Sequence, residues 1–315
     1  MQGIGIPDHC PIVGWTYSTW RESMPLAENK PNGIQMKQAI LITAYKDIRH
    51  LERLVDYFDE DFEIFIHIDK KCQEDYHVLE NRCGVRIYDQ YEIAWGDLNH
   101  LKAILLLMQE AYKQKDLEYF HLITGSDYPV KPLSEFKDFC ENHRHDNFVE
   151  HFPLPHPDWG AEGGVDRIKY YWIRHSFRVK HGRFIYKTIK LQRKMGINRG
   201  FRFFDGKLYG GGTYWSVSRE AVGVALDYLK NHPTYLHRFR MTSIAEEICL
   251  PTIWVNLGIS MHNDYKRFID WGSDGGNPIV LTERDYERIK NSEALFARKM
   301  QSGTSDRLIE MLNNQ

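Results

Sequence analysis

Long apolar runs are missing from this sequence. The longest, AILLLM at 103–108, falls far below the ~18–20 residues that a membrane-crossing helix needs, so no segment reads as one. No charge sign dominates either. The 41 Lys and Arg against 43 Asp and Glu leave a net charge of -2, which advertises no nucleic-acid partner. Cysteine is scarce. Cys10, Cys72, Cys83, Cys140 and Cys249 form no CxxC and share no metal-ligand spacing with a histidine. Such an odd, scattered set reads as free thiols in a reducing, cytoplasmic compartment. The 15 histidines contain no HExxH, so no metal site is expected. Gly210-Gly211-Gly212 is followed by no GK[ST] and is not a P-loop. Glu246 and Glu247 are adjacent and point differently on a helix. They cannot flank a scissile bond as a glycosidase pair must.

What is present is enough for one large domain. The 315 residues are 42% hydrophobic, as a buried core requires, and 13% aromatic. Aromatic faces stack on sugars and uracil, or simply fill a core. Residues 1–35 carry Pro and Gly punctuation, no sustained period and no signal-peptide core. They read as a poorly ordered extension, upstream of a natural start at Met36. The expected domain covers 36–300, with a nucleotide-binding half at 36–150 and an acceptor and catalytic half at 151–300. Residues 301–315 are expected to form a C-terminal helix or tail.

From Met36 strands and helices alternate. Apolar runs predict strands at 39–44, 62–68, 85–88, 119–124 and 147–151, and an aromatic strand at 213–217. Asp47, Asp97 and Ser134 look like N-caps of helices, the first with Ile48, Leu51, Leu54, Val55 and Phe58 on one face. Further helices are expected near 76–81, 219–229 and 246–255. The alternation predicts an α/β fold with a mostly parallel sheet and helices on both faces. Such sheets bind ligands beyond the carboxyl ends of their strands, which directs attention to Tyr45, residues 67–71 and residues 125–129. Residues 174–202, opened and closed by Arg174 and Arg202, hold ten Lys and Arg and no Asp or Glu. Within them, 183–195 is amphipathic. It suits peripheral contact with an anionic membrane surface, or a solvated helix packed on its own domain.

A nucleotide's diphosphate is among the ligands that such a sheet can hold at those ends. Many enzymes hold such a diphosphate through a metal on Asp-x-Asp. The one literal match, Asp59-Glu60-Asp61, precedes a strand, at the wrong end of a sheet for ligands. It reads as a solvated turn. Cationic side chains are therefore expected to take the metal's place.

Five segments in this order resemble the core-2/I-branching N-acetylglucosaminyltransferase-like family, glycosyltransferase family 14, including its bacterial members. They are LITAYKD (41–47), IFIHIDKK (64–71), YFHLITGSDYPVKPLSEF (119–136), LYGGGTYWSVSREAV (208–222) and the tail from KRFIDW (266–271) to LFARKM (295–300). The resemblance implies a GT-A-type fold, a UDP-sugar donor carrying N-acetylglucosamine or xylose, inversion and no divalent metal. It places the base on Glu247, in SIAEEICLPTIW (243–254), and the diphosphate-binding cations on Arg267 and Lys299. It implies uridine or ribose contact near His67 and Asp69, and a sugar-facing or structural role for Asp127, which otherwise is a turn residue before Tyr128-Pro129. Trp95 lines the donor pocket or belongs to the core. Glu150 resembles an acceptor-binding glutamate, and Tyr214 and Trp215 are candidates for an acceptor platform. His67 and His121 lie in apolar strands, where histidines are usually core residues.

The expected function is thus metal-independent transfer of a sugar, N-acetylglucosamine first, from a UDP donor to a glycan or lipid-linked glycan in cell-surface polysaccharide synthesis. The alternatives are xylosyl transfer and a non-catalytic nucleotide-sugar or carbohydrate binder. No cofactor is expected beyond the donor substrate.

Overall fold

Runs of Ile, Leu and Phe build the four strands at the centre of the computed structural model, which describes residues 35–173, 182–272 and 277–315. These strands are β1 (Lys37–Ala44), β2 (Phe62–Ile68), β3 (Val85–Tyr88) and β4 (Leu117–Thr124). β1 is buried at every position after its first, as a parallel strand covered on both faces requires. Helices α1 (Ile48–Asp56) and α2 (Leu98–Tyr112) make the early crossovers. Then follow β5 (Asp127–Pro129), α3 (Leu133–Asn142), β6 (Phe148–Val149), β7 (Phe152–Pro153), α4 (Asp166–Lys169) and α5 (Gly182–Lys194). The last third contains β8 (Tyr209–Gly210), β9 (Trp215–Ser218), α6 (Arg219–Asn231), α7 (Pro233–Arg238) and α8 (Glu246–Asn256). The chain closes with β10 (Arg267–Ile269), α9 (Tyr286–Lys290), β11 (Phe296–Arg298) and α10 (Asp306–Asn313).

The main sheet has the order β3-β2-β1-β4-β9-β6. β1 pairs in parallel with β2 and β4, setting Leu41 opposite Phe65 and Leu122. β9 is reversed against β4, and β6 against β9. The fold is the expected α/β one, a mostly parallel sheet flanked by helices. Successive side chains alternate between its faces. Leu41, Phe65, Phe120 and Leu122 pack with α2, α6 and α8, through Leu101, Val222 and Trp254. Ile40, Ile42, Ile64 and Ile66 pack with α1, α3 and α10, through Leu51, Phe136 and Leu308. Two smaller sheets, β10-β11-β5 and β7-β8, build the margin of the cleft.

The expected caps at Asp47 and Asp97 are present. Asp47 accepts from the His50 N–H at 3.3 Å, and Asp97 from the Asn99 and His100 N–H groups at 3.1 and 3.3 Å. Other expectations need correction. Ser134 lies inside α3, whose cap position is Pro132. The helix near 76–81 is one 3-10 turn, His77–Leu79, because only Leu79 buries. The strand expected at 147–151 shrinks to Phe148–Val149. The Asn147 side chain is taken instead by the Ser218 N–H and hydroxyl and by the Ser260 carbonyl. Residues 1–34 of the expected extension at 1–35, and 174–181 of the basic stretch, lie outside the described residues.

Asp59 and Asp61 sit in the turn entering β2, and both bind the Lys137 ammonium of α3. The Asp61 carbonyl accepts from Gln38 N–H at the start of β1, the end of the sheet away from ligand sites. Asp-x-Asp is here a structural clamp. The double variant Asp59→Asn/Asp61→Asn should lower unfolding free energy by about 1–3 kcal/mol, read by urea titration, because it leaves a largely buried ammonium without a charged partner.

Candidate active site

The carboxyl ends of β1, β2 and β4 open on one side, and the loop 89–97 crosses it. Two predicted side chains hold that loop. Asp69, 6% exposed, accepts from the Lys71 and Ile93 N–H groups at 3.0 and 3.3 Å. His67 is fully buried. Its Nε2 accepts from the Tyr91 N–H at 3.2 Å and its ring stacks on Tyr91, with centroids 5.6 Å apart. Burial pushes its pKa down to about 4, so the ring is neutral. Tyr91 lies over His67, which holds the loop in place. Trp95 is 71% exposed on the loop's rim, which removes the core reading for it. Next to it Gly96 adopts φ +74°, and a Cβ there would meet Ile244 Cγ1 at 3.3 Å. The Gly96 carbonyl accepts from Ile244 N–H at 3.0 Å. Ile244 itself sits at φ 52°, strained for a β-branched residue, two positions before the acidic pair. The loop 89–97 is thereby tied to the start of α8.

α8 has no side-chain cap. Its first turn carries Glu246 and Glu247, favoured there by the helix dipole. The two glutamates face different partners. Glu246, 6% exposed, meets His100 Nδ1 at 2.8 Å, and His100 Nε2 lies 3.3 Å from Thr43 Oγ1 on β1. Burial acts against the charged imidazole, but the carboxylate of Glu246 outweighs it and raises the ring's pKa. Glu247 Oε2 accepts from Arg167 Nη1 at 2.6 Å, and its side chain keeps 24% of its surface. Burial pushes the Glu247 carboxyl up to about 7. Arg167 pulls against that shift, while Glu246 and Glu150 add like charge.

The Glu247 backbone matters as much. Pro251 lies inside α8, four residues on, and has no N–H to give the Glu247 carbonyl. Gly211 N–H fills that place at 3.0 Å. The approach is close enough that a Cβ on Gly211 would lie 1.9 Å from the Glu150 carbonyl oxygen. The Glu150 side chain is half-buried, and a Cβ on Gly212 would lie 3.1 Å from its Oε2. Burial raises its carboxyl, against a bond from Gly212 N–H. Burial, with Glu150 beside it, pushes the Tyr265 phenol up to about 12. Arg167 is set by Trp159, whose ring lies 3.8 Å from the guanidinium. That ring fills the space where Gly164 and Gly210 lack side chains. The cleft therefore joins Glu247, Glu150, Arg167, Trp159 and Tyr265, two of them acids held where at least one can carry a proton near neutrality.

Residues 39–293 match the family model "Branch: Core-2/I-Branching enzyme". The chain belongs to the Core-2/I-Branching enzyme family. Human Xylosyltransferase 2 is 23% identical over 343 residues, covering 98% of this chain and 37% of the relative. The Rattus norvegicus protein of that name is 21% identical over 340 residues, with the same coverages. The chain thus spans little more than a third of the length of the curated relatives it matches. Among solved structures, apo mouse Xyloside xylosyltransferase 1 aligns at TM-score 0.36 and 10% identity, over 85% of this chain and 98% of that one. That likeness is too low to carry a functional argument.

In this Core-2/I-Branching chain, several predicted residues serve the scaffold. Arg267 is 8% exposed, and its four terminal N–H groups are occupied. They donate to the carbonyls of Leu122, Trp215 and Tyr265 at 3.1, 2.9 and 2.5 Å, and to Ser216 Oγ at 3.1 Å. Burial pulls its pKa down to about 10. With those groups it stitches the ends of β4 and β9, and its Nε–H meets no acceptor among the described residues. Asp127, 1% exposed, is the turn residue. Its carboxylate takes the Thr124 N–H and hydroxyl and lies 3.4 Å from Arg298 Nε. Trp215 is 2% exposed and packs edge-on against Trp254 at 5.7 Å, so it offers no platform. Tyr214 is half-buried under the Arg298 guanidinium, 4.7 Å from its ring centroid. Lys299 is half-buried, and its ammonium meets no carboxylate among the described residues. Arg167, Trp159, His100, Tyr265 and Arg298 were missed. Only the proline four residues after Glu247 signalled any of this in the sequence.

Native Glu247 holds its proton more tightly than an unfolded glutamate. Wild-type stability therefore falls as pH rises from the ordinary 4.5 through about 7. Relative to Glu247→Gln, the wild type should lose roughly 2–3 kcal/mol across that window, measured by urea titration at each pH.

Proposed function

We propose that this chain moves a sugar from a UDP donor to a glycan hydroxyl with inversion, using Glu247 as the base. The observation that carries the proposal is the carboxyl of Glu247: enclosed, raised to about 7 and held by Arg167 at the mouth between the donor loop and Glu150. Such a group takes a proton readily at neutral pH. In the proposed step the acceptor oxygen attacks the anomeric carbon on the face opposite the diphosphate. The bond from that carbon to the diphosphate oxygen breaks as the new glycosidic bond forms. The hydroxyl proton passes to Glu247, and UDP leaves with the bonding electrons. Glu150 and Tyr265 orient the acceptor, and Trp95 covers the donor from the rim. Lys299 takes up the leaving charge in place of Arg267.

N-acetylglucosamine is the first choice for the sugar. A second reading, xylose, is favoured by the relatives, which carry the name Xylosyltransferase 2. We also keep metal independence in the proposal. The single Asp-x-Asp is committed to Lys137, so the diphosphate is assigned to side-chain cations.

A UDP-release screen over UDP-N-acetylglucosamine and UDP-xylose, with galactose and N-acetylgalactosamine acceptors, tests the reading. Turnover should survive EDTA; strict manganese dependence contradicts the proposal. Glu247→Gln should lower kcat by about 10²–10⁴ while UDP still binds. The wild-type kcat/KM should rise with pH through about 7 and then level off. Arg167→Gln should move that limb to higher pH, because the charge opposing the shift is gone; an unmoved limb excludes Glu247 as the titrating base.

The two predicted cations should separate. Lys299→Ala should weaken UDP binding by about tenfold or more with little change in the unfolding midpoint. Arg267→Ala should instead lower the midpoint, since it strands three buried carbonyls. Calorimetric UDP titration and thermal melts of both variants distinguish these outcomes.

A further inference from the structure

Helix α5 shows three stripes of different chemistry. Ile185 and Ile189, 1% and 5% exposed, cluster with Tyr170 and Trp172. Gln192 grips the Tyr171 backbone, accepting from its N–H at 2.7 Å and donating to its carbonyl at 2.9 Å. These contacts settle which side faces the protein. At about 100° per residue, Phe184, Leu191 and Met195 fall together on a second stripe. They are 51%, 57% and 66% exposed. Met195 extends the helix by one bond, from its N–H to the Leu191 carbonyl at 2.9 Å. Beside them run Lys187, Lys190 and Lys194, all exposed. None of the three pairs with a carboxylate among the described residues, whereas Arg193 on the adjoining side binds Glu162 at 2.8 Å.

We propose that α5 docks this protein on an anionic lipid bilayer. Phe184, Leu191 and Met195 enter the boundary between headgroups and acyl chains, and Lys187, Lys190 and Lys194 meet the headgroup phosphates. Charge complementarity selects this occupant. Residues 182–194 contain no Asp or Glu, so a second copy of this helix meeting the face by a two-fold contact would bring more lysines and no carboxylate to pair with them. A lipid surface accepts apolar side chains beside unpaired lysines without demanding a matching shape. The helix also has a place relative to the cleft. The Arg193–Glu162 pair and the Gln192–Tyr171 bonds hold it on segment 162–172, which carries Arg167. Docking therefore brings the acceptor side of the cleft to the lipid, where a lipid-linked glycan would stand. That last consequence rests on the transfer reading; the docking does not, and vesicle binding is measured without turnover.

The test is co-sedimentation of the full chain with vesicles of phosphatidylcholine alone or mixed with phosphatidylserine. Partition should be at least about tenfold stronger on the mixed vesicles and should weaken with added salt. Lys187→Gln/Lys190→Gln/Lys194→Gln should bring it to the phosphatidylcholine level. Phe184→Ser/Leu191→Ser/Met195→Ser should lower it by about tenfold or more at unchanged charge. Leu191→Ser alone serves if the triple variant melts early. Equal partition on both vesicles, or full partition retained by both triple variants, overturns the proposal. So does a dimer in sedimentation equilibrium that the apolar variant dissolves, or retention of this face by an acidic protein but not by vesicles.

Discussion

The hydrogen bond from Gly211 N–H to the Glu247 carbonyl holds the cleft together. It exists because Pro251 cannot supply the donor that the helix would otherwise provide. A buried carbonyl without a partner costs about 1–3 kcal/mol, so the glycine-rich turn is drawn onto the helix. Once there, it passes so near Glu150 that no side chain fits at Gly211. The turn also leaves at Gly210 the space that Trp159 occupies, and Trp159 supports Arg167, which in turn binds the Glu247 carboxylate. Backbone and side chain of one glutamate are thus fixed by two ends of the same chain of contacts.

That arrangement gives neighbouring glutamates different partners. Glu246 is neutralised by His100 inside the fold, which links α8 through α2 to Thr43 on β1. Glu247 is enclosed with a single cation beside it and two acids nearby, and burial outweighs the cation.

Burial also sorts the cations. Arg267 is the more buried and gives its four terminal N–H groups to protein oxygens, while Arg298 is drawn to Asp127 and Tyr214. Lys299 meets no carboxylate among the described residues, and a charge acts on a ligand only when the protein has not already compensated it. Aromatic residues divide in the same way: Trp215 and Trp254 fill the core, and Trp95 stands in solvent at the rim.

Much of this was legible in the chain itself. The alternation of apolar strands with capped helices in residues 39–124 determined the parallel core, because period and capping are local properties. The ordered motifs carried the family, and the resemblance pointed to Glu247. The partners of Glu247 were not legible. Arg167 lies 80 positions away and His100 stands 146 before Glu246, and no local pattern announces such a pair. Nor could the sequence tell an arginine that seals strand ends from one that awaits a phosphate, since Arg267 and Lys299 look alike as charges in a polar tail. Composition and periodicity determined which elements form and in what order. Tertiary packing alone decided which charges are buried, paired or left facing the cleft, because desolvation depends on neighbours that only folding brings together.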